Sequence, residues 1–265
     1  MVRLGQNFLA DTNLLAAVVR DAAPQPDDVV LEVGGGEGAL TRELAPLVAS
    51  VHVVELDERL RPALEQAGVG DGNVELHFGD AMRLDLAALD PAPNRMIANL
   101  PYSIATPLIL RTIEELPGLE SWTLMVQREI ADRLRAEPGS RVYGAPSVLV
   151  QLACEVEQLR TVDRAVYTPR PQVDSALLRL QRHGPGASAA QRELVRGGFA
   201  HRRKSLARSF ELAGADEGRE ATRAALREAG LAADARAEAL SPQDFVRVSG
   251  LLARDARPGR EDARA

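Results

Sequence analysis

Between residues 28 and 48 the chain passes from a β-branched apolar run, DVVLEV (28–33), through GGGEG (34–38) into the amphipathic pattern GALTRELAPLV (38–48). A short, continuous apolar run closed by glycines is the mark of a strand buried on both faces, and helix crossovers are what cover both faces of a parallel sheet. The same unit recurs. VHVVEL (51–56) leads into DERLRPALEQA (57–67), and NVELHF (73–78) ends in the turn Gly79-Asp80. RMIAN (95–99) is stopped by Pro101 and followed by the helical TPLILRTIEEL (106–116). SWTLMVQ (121–127) leads into QREIADRLRA (127–136), and a helix is predicted ahead of all these over 13–22. The alternation predicts an α/β fold with a doubly wound, mostly parallel sheet and right-handed crossovers.

After the loop PGSRVYGAP (138–146) the pattern is less regular. SVLVQLAC (147–154) reads as helix, EVEQLRTV (155–162) and VDSALLRL (173–180) as strands. HGPGAS (183–188) has the glycine and proline of a linker, and only helical patterns follow it, near 189–212, 219–229 and 241–253. Two domains are therefore expected: an α/β domain over 1–183 and a small all-α domain over 184–265, whose last residues, 254–265, are expected to fray.

Hydrophobic residues at 45% and charged residues at 26% of 265 describe a globular chain and exclude a disordered or fibrous one. No stretch approaches the ~18 apolar residues that span a bilayer, and MVRLGQNFLA lacks the core of a secretory signal, so no membrane partner is expected and the cytoplasm is the expected compartment. Cys154 is the single cysteine, which excludes an internal disulfide and a cysteine-based zinc site and leaves an inert packing role. The histidines at 52, 77, 183 and 201 form no pair at metal-ligand spacing, there is no HExxH, and no metal is expected. The net charge of −6 hides an asymmetry: residues 186–265 hold 15 basic and 12 acidic side chains, residues 1–185 hold 17 and 26. Arg202, Arg203 and Lys204 are the densest basic cluster, within RELVRGGFAHRRKSLAR (192–208), and Lys204 is the only lysine. A solvated helix face and a nucleic-acid contact both fit that cluster.

Ligands of an open parallel sheet bind at the carboxyl ends of its strands, which selects Gly34–Gly38, Glu55, Asp80 and Asn99–Tyr102. The glycines let the backbone approach a ligand closely. Gly34, Gly36 and Ala39 also satisfy G-x-G-x-x-A, so this loop alone does not separate NAD from other adenosine cofactors. Glu55 can accept from ribose hydroxyls, and Asp80 can accept from an adenine amino group. Asn99-Leu100-Pro101-Tyr102 separates the chemistries. Pro101 holds Leu100 extended, so the Asn99 side-chain oxygen and the Leu100 carbonyl can converge on one amino group. Tyr102 offers a face on which a base stacks, worth on the order of 1–3 kcal/mol. Two acceptors and a stacking ring suit an amine that must become a nucleophile and do nothing for hydride transfer.

At this point the sequence resembles the ribosomal RNA small-subunit adenine-N6,N6-dimethyltransferase family. The resemblance runs from Leu4 to about Leu252 through Gly5-Gln6-Asn7-Phe8-Leu9, LEVGGGEGALT, VELD, GDAM, NLPYSIATPL, VQREIADRL, PGSRVYGAPSV, TPRPQVDSALLRL and FAHRRKSL, in that order. It implies a Rossmann-like class I methyltransferase domain, S-adenosyl-L-methionine as cofactor, and dimethylation of two adjacent adenines in the 3′-terminal hairpin loop of small-subunit rRNA. By the same resemblance the partner is that rRNA in an immature 30S particle, and a monomer is expected. Gln6, Asn7 and Leu9 would form a lip over the cofactor, with Gly34 and Gly36 under its methionine part. Glu55 would hold the ribose, Asp80 the adenine, and Leu56 and Ala81 would sandwich that ring. Asn99 and the Leu100 carbonyl would hold the target N6 amine, Tyr102 and Tyr167 would stack on the target base, and Arg202, Arg203 and Lys204 would grip RNA phosphates. Gly35 stands where the family commonly has proline, which implies a less rigid loop, and Tyr167 stands where phenylalanine is frequent. The competing readings are an NAD-dependent oxidoreductase, which leaves NLPY and GQNFL without a task, and a non-catalytic assembly factor.

Overall fold

The computed structural model describes residues 8–9, 11–68, 72–216 and 218–255. Their contacts form two units. One comprises the described residues up to Asp132 with Cys154–Pro185, and the other comprises Arg133–Ala153 with the residues from Gly186 onward. In chain order the first unit has β1 (Phe8–Leu9), α1 (Thr12–Ala22), β2 (Val29–Val33), α2 (Ala39–Leu44), β3 (Ser50–Glu55), α3 (Arg61–Gly68), β4 (Val74–Phe78), β5 (Arg95–Asn99), α4 (Ala105–Glu115) and β6 (Ser121–Gln127). Helix α5 (Arg128–Leu134) runs into the second unit, which adds α6 (Ala145–Gln151). Strands β7 (Cys154–Val162), β8 (Tyr167–Thr168) and β9 (Ser175–Arg182) complete the first unit, and α7 (Ala189–Ala200), α8 (Leu206–Leu212), α9 (Arg219–Glu228) and α10 (Pro242–Asp255) the second.

Seven strands form one sheet in the order β4-β3-β2-β5-β6-β9-β7. The first five run parallel, while β9 lies antiparallel to both β6 and β7. The doubly wound, mostly parallel sheet read from the sequence is thus the observed one. Val30, Val51, Val53, Ile97 and Met125 pack one face of it against Leu15, Val18 and Val19 of α1, Leu40 and Leu44 of α2 and Leu64 of α3. Strand alternation turns Leu31, Met96 and Leu124 to the other face, where they are equally buried. At this face Trp122 of β6 donates from its indole N–H to Thr112 Oγ1 of α4 at 3.0 Å. Burial on both sides is why these strands read as continuous apolar runs, each buried Leu or Val contributing roughly 1.5–3 kcal/mol. Cys154 is buried at the start of β7, and burial pushes its thiol up to about 12, in keeping with a packing role.

Two short features escaped the sequence reading. Strands β1 and β8 pair antiparallel, with Phe8 opposite Thr168 and Leu9 opposite Tyr167. The pattern over 189–212 is two helices, because a turn at 201–205 separates α7 from α8. Helix α7 opens on a capping box in which Ser188 and Gln191 each accept from the other's backbone N–H. Residues 133–153 group with these helices, unlike the single division expected after residue 183, and their side chains give the reason. The buried Tyr143 donates to the Leu240 carbonyl at 2.8 Å and its ring meets Phe199 edge-on, while Ser147, donating to the Arg133 carbonyl at 2.6 Å, ties α6 to the end of α5 within the segment. The expected fraying of residues 254–265 falls, from 256 onward, outside the described residues.

Helix α2 starts at Gly38, whose φ is +77° and where a Cβ would lie 2.2 Å from the Ala67 Cβ of α3. Gly38→Val combines a left-handed backbone with a steric overlap and is expected to cost about 2–5 kcal/mol. Urea unfolding of the variant beside the parent chain measures it; an unchanged midpoint contradicts this account of the turn.

Candidate active site

The strand order reverses between β2 and β5, because the chain moves outward through β3 and β4 and then returns to the other side of β2. A crevice at the carboxyl ends follows from that reversal. It is a cavity of about 460 Å³, within the range of small-molecule sites. Gly34, Gly36, Glu55, Leu56, Asp80, Ala81, Asn99, Leu100, Pro101, Tyr102 and Tyr167 all line it. Of the other predicted site residues, Gln6 and Asn7 lie outside the described residues, and Leu9 is described through its backbone pairing with Tyr167. Arg202, Arg203 and Lys204 belong to the second unit.

The glycine loop is tied to β3. Gly34 N–H donates to the Val54 carbonyl at 2.8 Å, and Gly36 N–H, at a φ of +59°, donates to Glu55 Oε2 at 2.9 Å. Asp57 N–H donates to Glu55 Oε1 at 2.9 Å. Glu55 is only 5% exposed, so two backbone donors fix its carboxylate at the cavity wall with one lone pair per oxygen still available. At Gly35 a Cβ would lie 2.4 Å from Val53 Cγ1, so the loop expected to be looser is packed closely onto β3 at that glycine. Asp80 follows β4 after Gly79, whose N–H donates to the Glu55 carbonyl at 2.9 Å. Its Oδ1 accepts from Met82 N–H, and its side chain is 41% exposed. The exposed Leu56, next to Glu55 in the chain, and the buried Ala81, next to Asp80, add apolar surface to the lining.

Asn99 ends β5. Leu100 N–H donates to the Met125 carbonyl at 3.0 Å, which continues the β5–β6 ladder one residue past the strand. The Asn99 side-chain amide and the Leu100 carbonyl make no hydrogen bond among the described residues, and both residues line the cavity. Two acceptors on residues that line the cavity are thus left without a partner among the described residues. The Tyr102 hydroxyl shares a 2.8 Å hydrogen bond with Ser175 Oγ of β9, which fixes the ring. Tyr167 is 3% exposed, and its hydroxyl has no partner among the described residues; burial pushes that hydroxyl well above the usual tyrosine value.

In the second unit Arg202, Arg203 and Lys204 occupy the exposed turn between α7 and α8. Arg202 Nη2 donates to Glu238 Oε2 at 3.1 Å and to the Arg141 carbonyl at 3.2 Å. Arg203 and Lys204 make no ion pair among the described residues.

The sequence reading passed over Glu32, which lines the same cavity. It is 1% exposed, in the middle of an otherwise apolar strand, and accepts from Thr41 Oγ1 at 2.7 Å. An acid inside a run that must be buried was the signal that could have found it. Burial pushes its carboxyl up to about 8, and the Glu55 charge adds to this, against the Thr41 hydroxyl.

Three comparisons bear on this site. A model of the family described as ribosomal RNA adenine dimethylase matches residues 2–254. The chain is 46% identical over 246 residues to ribosomal RNA small subunit methyltransferase A of Rubrobacter xylanophilus, covering 92% of each. It is 40% identical over 255 residues to the protein of the same name from Thermobifida fusca, covering 93% of this chain and 88% of that one. Among solved structures, a dimethyladenosine transferase from Plasmodium falciparum superposes with a TM-score of 0.77 at 25% identity, over 91% of this chain and 95% of that one. The 23S rRNA methyltransferase ErmE superposes at 0.66 with 30% identity, over 93% and 100%.

Because Glu32 ionises near the ordinary glutamate value of 4.5 in the unfolded chain and is pushed up to about 8 in the fold, the native state holds the extra proton between those limits. Glu32 therefore makes the fold less stable as pH rises through that window. Glu32→Gln removes the dependence, and its stability relative to the parent should climb by about 1–3 kcal/mol from pH ~5 to pH ~8 in urea unfolding. A pH-independent difference contradicts the assignment.

Proposed function

The chain belongs to the ribosomal RNA adenine dimethylase family, and from that premise we propose that it transfers methyl groups from S-adenosyl-L-methionine to N6 of two adjacent adenines. The target is the 3′-terminal hairpin loop of small-subunit rRNA, in an immature 30S particle. The observation that carries the reading is the pair of free acceptors at Asn99 and the Leu100 carbonyl, in the same cavity as Glu55 and Asp80.

The residues fit such a cofactor. Glu55 keeps lone pairs for two ribose hydroxyls, and Asp80 Oδ2, which lies 3.6 Å from Nε of the exposed Arg83, would take an adenine amino group. Leu56 and Ala81 offer the two faces between which the ring would lie, and Gly34 and Gly36 would pass beneath the methionine part. Gln6, Asn7 and Leu9 would close over it. When bound, the cofactor supplies a methyl group on a sulfonium, an electrophile with a neutral leaving group.

The protein's own contribution is position and charge. The lone pair of an adenine N6 is delocalised into the ring and is a poor nucleophile. Asn99 Oδ1 and the Leu100 carbonyl accept its two hydrogens in the first transfer and the one that remains in the second. They favour a pyramidal nitrogen with electron density aimed along the line of attack, and the proton displaced from nitrogen at each transfer passes to solvent. Tyr102, anchored by Ser175, stacks on the base, and Tyr167 supplies the second aromatic surface. The adenine leaves its stack to enter, which costs least in a loop. The α/β domain then does the chemistry, while Arg203 and Lys204, with Arg202, hold phosphates from the helical domain.

The 46% and 40% identities to proteins named for the small subunit favour that rRNA over the large-subunit target in the name of ErmE. Labelled methyl transfer to purified, unmethylated 30S subunits and, in parallel, to purified 50S subunits, followed by nucleoside analysis, tests the proposal. N6,N6-dimethyladenosine in the small-subunit rRNA is expected. Label in large-subunit rRNA, or none, overturns it, the latter in favour of a docking factor without chemistry. In the same assay Asn99→Ala should lower kcat about 10²–10³-fold. Tyr102→Ala should lower kcat/KM about 10–100-fold. Replacing Arg203 and Lys204 by Ala should flatten the salt dependence of RNA binding by about one unit per side chain.

A further inference from the structure

Histidines 52 and 77 stand far apart in the sequence, and the sheet brings them together on the face away from α1, α2 and α3. The parallel register sets His52 of β3 beside Glu75 of β4 and Val54 beside His77. Strand alternation then turns His52, Glu75 and His77 to one side, while Val51, Val53, Leu76 and Phe78 face the core on the other. His52 Nδ1 lies 3.1 Å from His77 Nε2 and 3.4 Å from Glu75 Oε2, and His77 Nε2 lies 3.8 Å from Glu75 Oε1. Ligands on bonds of about 2.0–2.1 Å in a tetrahedron stand about 3.3–3.4 Å apart. The His52–His77 and His52–Glu75 separations stand near that edge length, and the Glu75 carboxylate approaches His77 with its other oxygen.

The surroundings orient the ligands as well. His52 is fully buried, and its Nε2 lies 2.9 Å from the Pro91 carbonyl, an atom that can only accept. In the neutral ring Nε2 therefore carries the hydrogen, and Nδ1 turns its lone pair toward His77 and Glu75. A ring whose second nitrogen is held by a backbone carbonyl is the usual support of a metal-bound histidine. The Glu75 side chain is 57% exposed, which gives an ion a path from solvent and room for a water.

We propose that His52 Nδ1, His77 Nε2 and the Glu75 carboxylate bind a divalent transition-metal ion of the zinc class, with a water as fourth ligand. Two imidazoles and one carboxylate are the hard-to-borderline set that suits zinc. The place of the site in the fold says what the ion does. β4 is one of the two edge strands and, among the described residues, pairs only with β3. β3 ends at Glu55 and β4 runs into Asp80, two of the acids that line the cavity. An ion on this cluster staples the edge strand to its neighbour and holds those two strand ends in register.

The test uses the tag-free full chain, stripped with a chelator and titrated with Zn²⁺ against a chromophoric competitor, and with Co²⁺ for its visible absorption. One equivalent is expected in the parent. His77→Gln should weaken binding about 100-fold, Glu75→Gln about 10–100-fold, and His183→Gln should leave it unchanged. At a hundredfold excess over Kd, Zn²⁺ should raise Tm by about 5 °C in the parent and leave His77→Gln unmoved. Should His77→Gln not fold, Glu75→Gln, at an exposed side chain, carries the same decision. Binding below one equivalent, or equal affinity in the parent and Glu75→Gln, overturns the proposal.

Discussion

The reversal of strand order between β2 and β5 is the constraint on which the rest of this structure depends. Strands that share a direction deliver their carboxyl ends to one edge of the sheet, and the reversal leaves a gap there that no helix crossover fills. Gly34, Glu55, Asp80 and Asn99 are separated by 19–25 residues in sequence and line one cavity because each follows or ends one of those strands. The glycines between β2 and α2 let this edge stay open. Gly36 turns its N–H to Glu55, and Gly38 lets α2 begin against Ala67.

Two glutamates of this region show how environment assigns different tasks to one side-chain type. Glu55 closes β3 with a backbone N–H on each oxygen, the arrangement of a fixed acceptor. Glu32 sits one strand away with a single hydroxyl donor and almost no solvent, and burial raises its carboxyl toward neutrality. The first is a wall of the site. The second is a cost carried inside the sheet, offset by the two-sided apolar packing around it.

Periodicity carried the α/β order because buried parallel strands and amphipathic helices differ in pattern over a few residues. β5 and β6 lie where those patterns ended, at Arg95–Asn99 and Ser121–Gln127. The strand-end residues were equally legible, since topology alone selects them. What pairing decides was not. The meeting of His52 with His77 is set by the β3–β4 register, and no local spacing encodes a register between strands. The two-residue strands β1 and β8 are too short for any period to appear. The grouping of Arg133–Ala153 with the helices rests on Tyr143, whose partners Leu240 and Phe199 lie far along the chain.

On the function proposed above, the cavity lined by four strand ends should distinguish an adenosine methyl donor from a dinucleotide. Calorimetric titration of the full chain with S-adenosylhomocysteine, with NADH, and of Glu55→Gln with S-adenosylhomocysteine makes the comparison. The account predicts one equivalent of S-adenosylhomocysteine bound by the parent, binding about 10–100-fold weaker in Glu55→Gln, and no heat from NADH. Tight NADH binding without S-adenosylhomocysteine binding, or an unchanged affinity in Glu55→Gln, would contradict it.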